Sequence, residues 1–514
     1  MAGVTSAGTT VTAMVRDNTL VGEWVSAGGA ADPERVALLF HGDAMTYREL
    51  DLRSTRLAQS LLESGLEPGA RVVSVTENHP EHVVLFFACA KAGLILAPLN
   101  WRLAPDELRL QVELFDPSLL VASSTQWPRI TGDPALALRR VVHLELLDDE
   151  FPVADASYAL PTVHKDDGLL LIATSGTTGT PKGALLTHAN CFWTNRSLDA
   201  AAPLTANDVV LQVLPQYHVG GWNVQPLLAW WRGATVVLES KFDAAETLRT
   251  IERQRVTTMM GVPTNYLMLA QNPYFETVDL TSLHTIIVGG AAMPHTLLDR
   301  WHAKGVAVIQ GYGLTEAAPN VLYLPSEEAT RHPGSVGRPY RHVEVSIRDV
   351  HGHELEGAAR GELWVHGPNV FAGYWRNPSA TAAAIVDGWL DTGDVAERDH
   401  DGFYRIVGRT KEMFVSGGEN VFPVEVERVL TSFDDVAEAA VVSVLDPTWG
   451  EAGVAFVVPR RGVEVDVVAL YAHCRAHLAP FKIPRAINVV SELPQTHIGK
   501  VDKGALRLRI GGSH

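Results

Sequence analysis

Cysteine is nearly absent from this sequence. Only Cys89, Cys191 and Cys474 occur in 514 residues, and none lies near another. Neither a disulfide framework nor the paired spacing of a zinc site can be built from them, so a reducing, cytoplasmic setting is the expectation. Basic charge is also scarce. Forty-two Lys and Arg against 59 Asp and Glu give a net charge of -17, which argues against a general binder of nucleic acid or anionic membrane. Small anions stay within reach, because backbone N–H groups and a few local cations hold phosphate inside acidic proteins. Apolar runs such as Val83–Ala90 fall short of the ~20 residues that span a bilayer, so no integral membrane association is expected. The opening Met1–Val15 is small and polar, without the apolar centre of a signal peptide. No repeat at solenoid or propeller period is found.

What remains is an ordinary globular composition, 46% hydrophobic and 20% charged, in a chain long enough for two or more domains. Up to about Asp17 the sequence reads as a loose tail. Beyond it, apolar runs of strand type (Ala70–Thr76, Leu94–Pro98, Leu169–Ala173, Ala234–Leu238, Thr257–Met260, Thr285–Val288, Val306–Ile309) alternate with helical patterns such as Glu81–Ala92. That alternation predicts an α/β fold with largely parallel sheets covered by helices. After about Ser335 the texture changes to a hairpin, Val343–Arg348 and Gly361–His366, around a His351-Gly352-His353 turn. A last block carries a helix at Pro423–Thr431, strands at Val436–Leu445 and Ala452–Val458, and a helix around Val465–Leu478. It has the size of a small α+β domain. The division falls at Gly408–Glu412, giving an N-terminal domain over 17–408 and a C-terminal domain over 412–514.

Directly after the strand Leu169–Ala173 comes Thr174-Ser175-Gly176-Thr177-Thr178-Gly179-Thr180-Pro181-Lys182-Gly183. Its glycines permit a sharp turn and close backbone approach, its hydroxyls and N–H groups converge, and Lys182 adds charge. Such a loop suits phosphate. It is not the Walker A pattern, because Lys182 is followed by glycine and the glycine spacing differs.

The loop resembles the phosphate-loop signature of the adenylate-forming superfamily: acyl-CoA synthetases, peptide-synthetase adenylation domains and firefly-type luciferases. Further motifs of that superfamily follow in order along essentially the whole chain. They are Val288–Pro294 (VGGAAMP), Gln310–Glu316 (QGYGLTE), Asp391–Asp394 (DTGD), Gly408–Lys411 (GRTK) with Ser416–Asn420 (SGGEN), and Pro494–Lys500 (PQTHIGK). The resemblance implies a large N-terminal domain of parallel-rich sheets flanked by helices with a β-barrel-like part, and a small mobile α+β C-terminal domain. It also implies ATP, Mg²⁺ and CoA as co-substrates and cofactor.

Roles follow residue by residue. Thr174, Ser175, Gly176, Thr177, Thr178, Gly179 and Lys182 would hold the β and γ phosphates. Gly290, Ala291, Ala292, Gly311, Tyr312 and Gly313 would form the adenine slot, with the Tyr312 ring available for stacking. Asp394 would accept from the ribose hydroxyls and Arg409 would donate to the same sugar. Glu316 is the expected Mg²⁺ ligand, as a hard oxygen donor, and Thr315 the contact to the α-phosphate. Lys500 is expected to bridge carboxylate, α-phosphate and ribose during adenylation. Lys411 stands at the hinge, near 409–411, about which the small domain would turn. Ser416, Gly417 and Gly418 would line the pantetheine tunnel.

For the acid, peptide-synthetase domains use an Asp in the region equivalent to Leu214–Gln225, where this chain has no acidic residue. A free α-amino acid is therefore not expected. His218 matches the aromatic-or-histidine gate of acyl- and aryl-CoA synthetases. Trp222, Gly289 and Ala317 are expected to line an apolar acyl pocket, with Trp222, Trp230 and Trp231 on one helix. The reading is an acyl-CoA synthetase acting on a fatty, aryl or polycyclic acid. Its alternatives are an acyl-AMP ligase that loads an acyl carrier protein, and a natural-product ligase for a bulky aryl or polycyclic acid. Self-association as a homodimer is left open. His351 and His353 read as exposed turn residues, and His497 as a shaper of the Lys500 loop.

Overall fold

The computed structural model describes residues 18–152, 159–174, 181–290, 293–416, 419–446, 450–495 and 501–511. The chain packs as two compact units, one of residues 1–345 and 365–390, the other of 346–364 and 391–514. The expected hinge at 409–411 lies inside the second unit so defined, and its role as a pivot concerns motion.

The first unit is built on two sheets. In the larger, strands Thr285–Val288, Thr258–Gly261, Val209–Gln212, Thr235–Leu238 and Val36–Phe40 lie side by side and parallel. Ala307–Gly313 joins them in parallel, and antiparallel strands close the edges. The other sheet has Gly168–Thr174, Ile95–Leu99, Arg71–Val75, Leu119–Ala122 and Val141–His143 in parallel order. Lys182–Thr187 and then Gly373–Tyr374 extend it in antiparallel fashion. These strands read as unbroken apolar runs because helices cover both faces. Ile95, Leu99, Phe115, Leu120 and Leu171 form one such core. The helix Pro80–Ala92 shows how the sequence fixes its ends: the His79 side chain accepts from the Glu81 N–H, Pro80 takes the first turn, and Gly93 ends it in the left-handed region.

The helix expected to carry three tryptophans is two helices, Gly220–Asn223 and Pro226–Arg232. Pro226 has no N–H to continue the first and is preorganised to start the second. Trp222, Trp230 and Trp231 are all buried.

In the second unit, Asp394 to Arg398 pair antiparallel with Tyr404 to Arg409. Val395 and Val407 pack on Phe422, which explains why 391–409 folds with the C-terminal block. Val436–Asp446 pairs antiparallel with Gly450–Pro459, which takes Ala486–Val489 in parallel. The sheet buries two apolar faces: one beneath the helices Pro423–Thr431 and Val467–His477, the other beneath Lys503–Gly511. The His351–His353 turn forms as read, with the Asp349 carboxylate accepting from the N–H of His351 at 2.8 Å and of His353 at 2.9 Å.

Candidate functional site

The first unit brings the two ends of the Thr174–Gly183 loop close to the Glu316 turn. Thr174 and Lys182 are register partners at the root of the loop, where the Thr174 hydroxyl donates to the Lys182 carbonyl at 3.4 Å. Ser175, Gly176, Thr177, Thr178 and Gly179, at its crown, lie outside the described residues. The strand Gly373–Tyr374 pairs with Lys182–Thr187, setting Tyr374 opposite Ala184. The Tyr374 ring then lies under Lys182, whose Nζ is 4.7 Å from the ring centre, a cation–π distance. Its hydroxyl donates to Glu316 Oε1 at 2.9 Å. Burial, reinforced by the Glu316 carboxylate, pushes the Tyr374 phenol well above its ordinary value, so it stays a donor.

Glu316 sits in a short 3₁₀ turn, Thr315–Ala317. The turn is held from both sides. The Phe371 N–H donates to the Glu316 carbonyl at 2.9 Å. The buried Asn369 amide donates to the carbonyls of Ala317 at 2.9 Å and Asn320 at 3.1 Å. Asn190 donates in turn to Pro368 and Val370, fixing the segment that carries Asn369 and Tyr374. Gly313 precedes the turn where a Cβ would meet the Pro319 carbonyl oxygen at 1.8 Å, so only glycine fits. One carboxylate oxygen of Glu316 is thus oriented by a phenol, which leaves Oε2 as the oxygen to offer a hard cation. Among the described residues no group of three or more His, Cys, Asp and Glu has the geometry to hold a metal.

Gly289 and Gly290 follow the strand Thr285–Val288, Gly290 with φ +80°. The neighbouring strand brings Gly311, Tyr312 and Gly313 alongside, Tyr312 in register with Leu322. Ala291 and Ala292 lie outside the described residues. Ala317 is fully buried.

His218 stands in a segment clamped by amides. Asn78 donates to the carbonyls of Leu214 and Glu239, each at 3.0 Å, and accepts from the Gln216 N–H at 2.8 Å. Gln212 donates to Leu214 at 2.7 Å and Gly221 at 3.1 Å. Gln216 Oε1 accepts from His82 Nδ1 at 3.2 Å, so His82 Nε2 accepts from Ser74 at 2.8 Å. Burial lowers the His82 pKa to about 3, which keeps the imidazole neutral and able to play both parts. His218 itself is half-buried beside the Tyr217 ring at 4.6 Å. Trp222, expected to line the acyl pocket, packs in the core of this structure. It is fully enclosed, stacked on Phe86 at 4.5 Å, and its indole N–H donates to the Gln216 carbonyl at 2.7 Å. Its large apolar surface is spent in the core, where it supports the His218 segment from behind.

In the second unit, Arg409 Nε donates to Asp394 Oδ1 at 3.1 Å across the paired strands. Asp394 is buried and Arg409 exposed, and the Asp394 N–H is held by Thr392 Oγ1 at 3.1 Å. Two groups suited to one ribose are thereby preassembled. Ser416 is buried at the end of the strand Phe414–Ser416. Gly417, Gly418, His497 and Lys500 lie outside the described residues. The ends of the Lys500 loop are described: Gln495 bridges Val501, and the Asp502 N–H donates to Pro494 at 2.7 Å. Next to it Lys503 is held between Glu412 at 2.8 Å and Glu427 at 3.0 Å. Glu412 follows Lys411, so the loop's root is tied to the residue beside the expected hinge.

Tyr374, Asn369, Asn190 and the Lys503 pair of carboxylates were not singled out from sequence. A tyrosine after a glycine and two buried asparagines carry no local pattern, and their partners are distant in the chain.

Residues 25–375 match the family model described as AMP-binding enzyme, and 425–500 that of the AMP-binding enzyme C-terminal domain. The chain is 39% identical over 493 residues to feruloyl-CoA synthases of Amycolatopsis and Streptomyces, covering 96% of this chain and 99% of theirs. An indoleacetate–CoA ligase of Aromatoleum aromaticum is 36% identical over 498 residues, covering 94% and 97%. Among solved structures, o-succinylbenzoate CoA synthetase from Bacillus subtilis with its acyl-adenylate intermediate superposes with a TM-score of 0.86 at 30% identity, covering 94% of this chain and 98% of that one. The same enzyme has been solved with ATP and a magnesium ion.

Proposed function

We propose a substrate and a division of labour for this chain, which belongs to the AMP-binding enzyme family and is an AMP-forming acid–thiol ligase of the acyl- and aryl-CoA synthetase kind. Its reactants are a carboxylic acid, ATP and CoA, with Mg²⁺. The acid is aromatic: an aryl or arylalkenyl carboxylic acid in preference to a long fatty acid. The observation that carries this is the near full-length likeness to ligases of feruloyl and indoleacetyl acids. The segment around His218 has no carboxylate to meet an α-ammonium group, which sets free amino acids aside.

A carboxylate oxygen attacks the α-phosphorus and pyrophosphate leaves. The CoA thiol, giving up its proton, then attacks the acyl carbon, and AMP leaves. Both steps bring negative groups together, so positioning and charge stabilisation dominate. Lys182, with Thr174 and the rest of the loop, holds the departing phosphates. Glu316, oriented by Tyr374, is the residue to hold Mg²⁺, which when bound neutralises phosphate charge. Thr315 faces the α-phosphate, and Gly290 with Gly311, Tyr312 and Gly313 receives adenine. Asp394 and Arg409 take the ribose, and Lys500 supplies the cation at the reacting centre. Lys411 serves as pivot between the two half-reactions, and Ser416 flanks the thiol's path.

The test is a panel of aryl, fatty and polycyclic acids with Mg²⁺-ATP, scored for pyrophosphate release and CoA thioester separately. Highest kcat/KM for aryl acids, with thioester formed, is expected. Preference for a long fatty acid would overturn the substrate assignment. Adenylate without CoA thioester would shift the acceptor to an acyl carrier protein.

A further inference from the structure

The helix Val467–His477 of the second unit carries two histidines one turn apart, His473 and His477, and none of the residues given a role above. Their ring centres are 4.3 Å apart with planes inclined by 36°. The two imidazoles are neighbours on one helical face, at the i,i+4 spacing from which paired histidines ligate one metal ion. His473 is half-buried and His477 exposed, so the pair is open to solvent.

The surroundings fix both rings in the state that a ligand needs. His477 Nδ1 lies 2.9 Å from the His473 carbonyl oxygen, which only accepts, so Nδ1 carries the proton and Nε2 keeps its lone pair. Ser432 Oγ lies 2.9 Å from His473 Nε2 and 2.7 Å from the Val429 carbonyl. The serine's one hydrogen goes to Val429, so His473 Nε2 donates and its Nδ1 keeps the lone pair. Each ring thus gives its N–H to a protein oxygen and keeps a lone pair on its other nitrogen. Metal-binding histidines are oriented in this way by the groups behind them. The Phe433 ring, 5.5 Å from His473, limits the motion of that imidazole.

We infer that His473 and His477 form a two-ligand site for a divalent transition cation of the Zn²⁺, Ni²⁺ and Cu²⁺ class, separate from the Mg²⁺ used in catalysis. Imidazole nitrogen suits these ions, whereas Mg²⁺ requires oxygen donors. The remaining positions are filled by water or by a donor from another molecule. Binding would tie together the last turn of the helix, the part most prone to fray. Affinity should follow Cu²⁺ above Ni²⁺ and Zn²⁺.

The experiment is calorimetric titration of the full-length protein with Ni²⁺ alone, in the presence of excess Mg²⁺, together with thermal melts with and without Ni²⁺. The same measurements are made on His473→Ala, His477→Ala and, as a fold control, His351→Ala. The parent and His351→Ala should bind one more equivalent of Ni²⁺ than either helix variant, with the excess Mg²⁺ leaving that equivalent in place. Ni²⁺ should raise their melting temperature more than it raises that of the helix variants. Without metal, all four proteins should melt alike; a helix variant that melts early is replaced by His473→Gln or His477→Gln. Equal binding in the parent and both helix variants would overturn the proposal. So would loss in only one variant, since a single imidazole is not a chelate.

Discussion

The Tyr374 hydroxyl donates to Glu316 Oε1 at 2.9 Å while the Lys182 ammonium lies 4.7 Å above the same ring. One side chain therefore connects the phosphate loop's cation with the carboxylate assigned to Mg²⁺. A hydrogen bond to a charged group contributes about 1.5–3 kcal/mol. Tyr374→Phe keeps the ring and removes the hydroxyl. It should raise the Mg²⁺ concentration needed for half-maximal pyrophosphate release by roughly ten- to a hundredfold, with ATP saturating and the fold intact. An unchanged Mg²⁺ dependence would show that Glu316 needs no such orientation.

Lys500→Ala should slow adenylation by about 10²–10³, by analogy with the cost of losing one preorganised oxyanion donor. Thioester formation from preformed acyl-AMP and CoA should be much less affected. Pyrophosphate release at the parent rate would remove Lys500 from the mechanism.

Glu239 gives a pH signature to stability. Its side chain is buried at the end of the strand Thr235–Leu238 and takes a hydrogen bond from Thr247 at 2.7 Å. Burial pushes its carboxyl from an ordinary 4.5 up to about 7. The folded chain therefore binds this proton more tightly than the unfolded chain. The resulting loss of stability is absent below about pH 4.5, grows as pH rises, and is complete above about pH 7. Glu239→Gln should match the parent near pH 4.5 and exceed it by up to about 3 kcal/mol at pH 8, by the usual conversion of pKa shift to free energy. Denaturant unfolding at several pH values measures this, and parallel curves for the two proteins would contradict the assignment.

Trp222 distinguishes core from pocket. As a fully buried ring stacked on Phe86, its replacement by Ala should cost about 3–5 kcal/mol of stability. A pocket wall would instead change the preferred acid at little cost in stability. Melting temperature and the acid panel, measured on Trp222→Phe and Trp222→Ala together, separate the two.

Much of the fold is legible in the chain because buried parallel strands are written as short apolar runs. Thr285–Val288 and Pro423–Thr431 form over the expected residues. The division at Gly408–Glu412 rests on a glycine and a charged stretch. Phe422 packs with Val395 and Val407, a contact between separated segments that no local pattern announces. Likewise Pro226 divides the tryptophan helix, a signal present in the sequence but outweighed by the apolar run around it.

By itself the sequence determined the chemistry. A Gly-, Thr- and Lys-rich turn after a strand suits an anion, and the ordered motifs carry the resemblance that implies ATP. Tertiary structure alone decided how the groups are held. Tyr374 reaches Glu316 across 58 residues because the strand Gly373–Tyr374 adds to the sheet beside Lys182. Asn369 and Asn190 secure the same turn through backbone carbonyls, which have no residue type to betray them. Periodicity along a chain reports which face of an element is buried. It does not report which distant element buries it, and the orientation of Glu316 depends on that second fact.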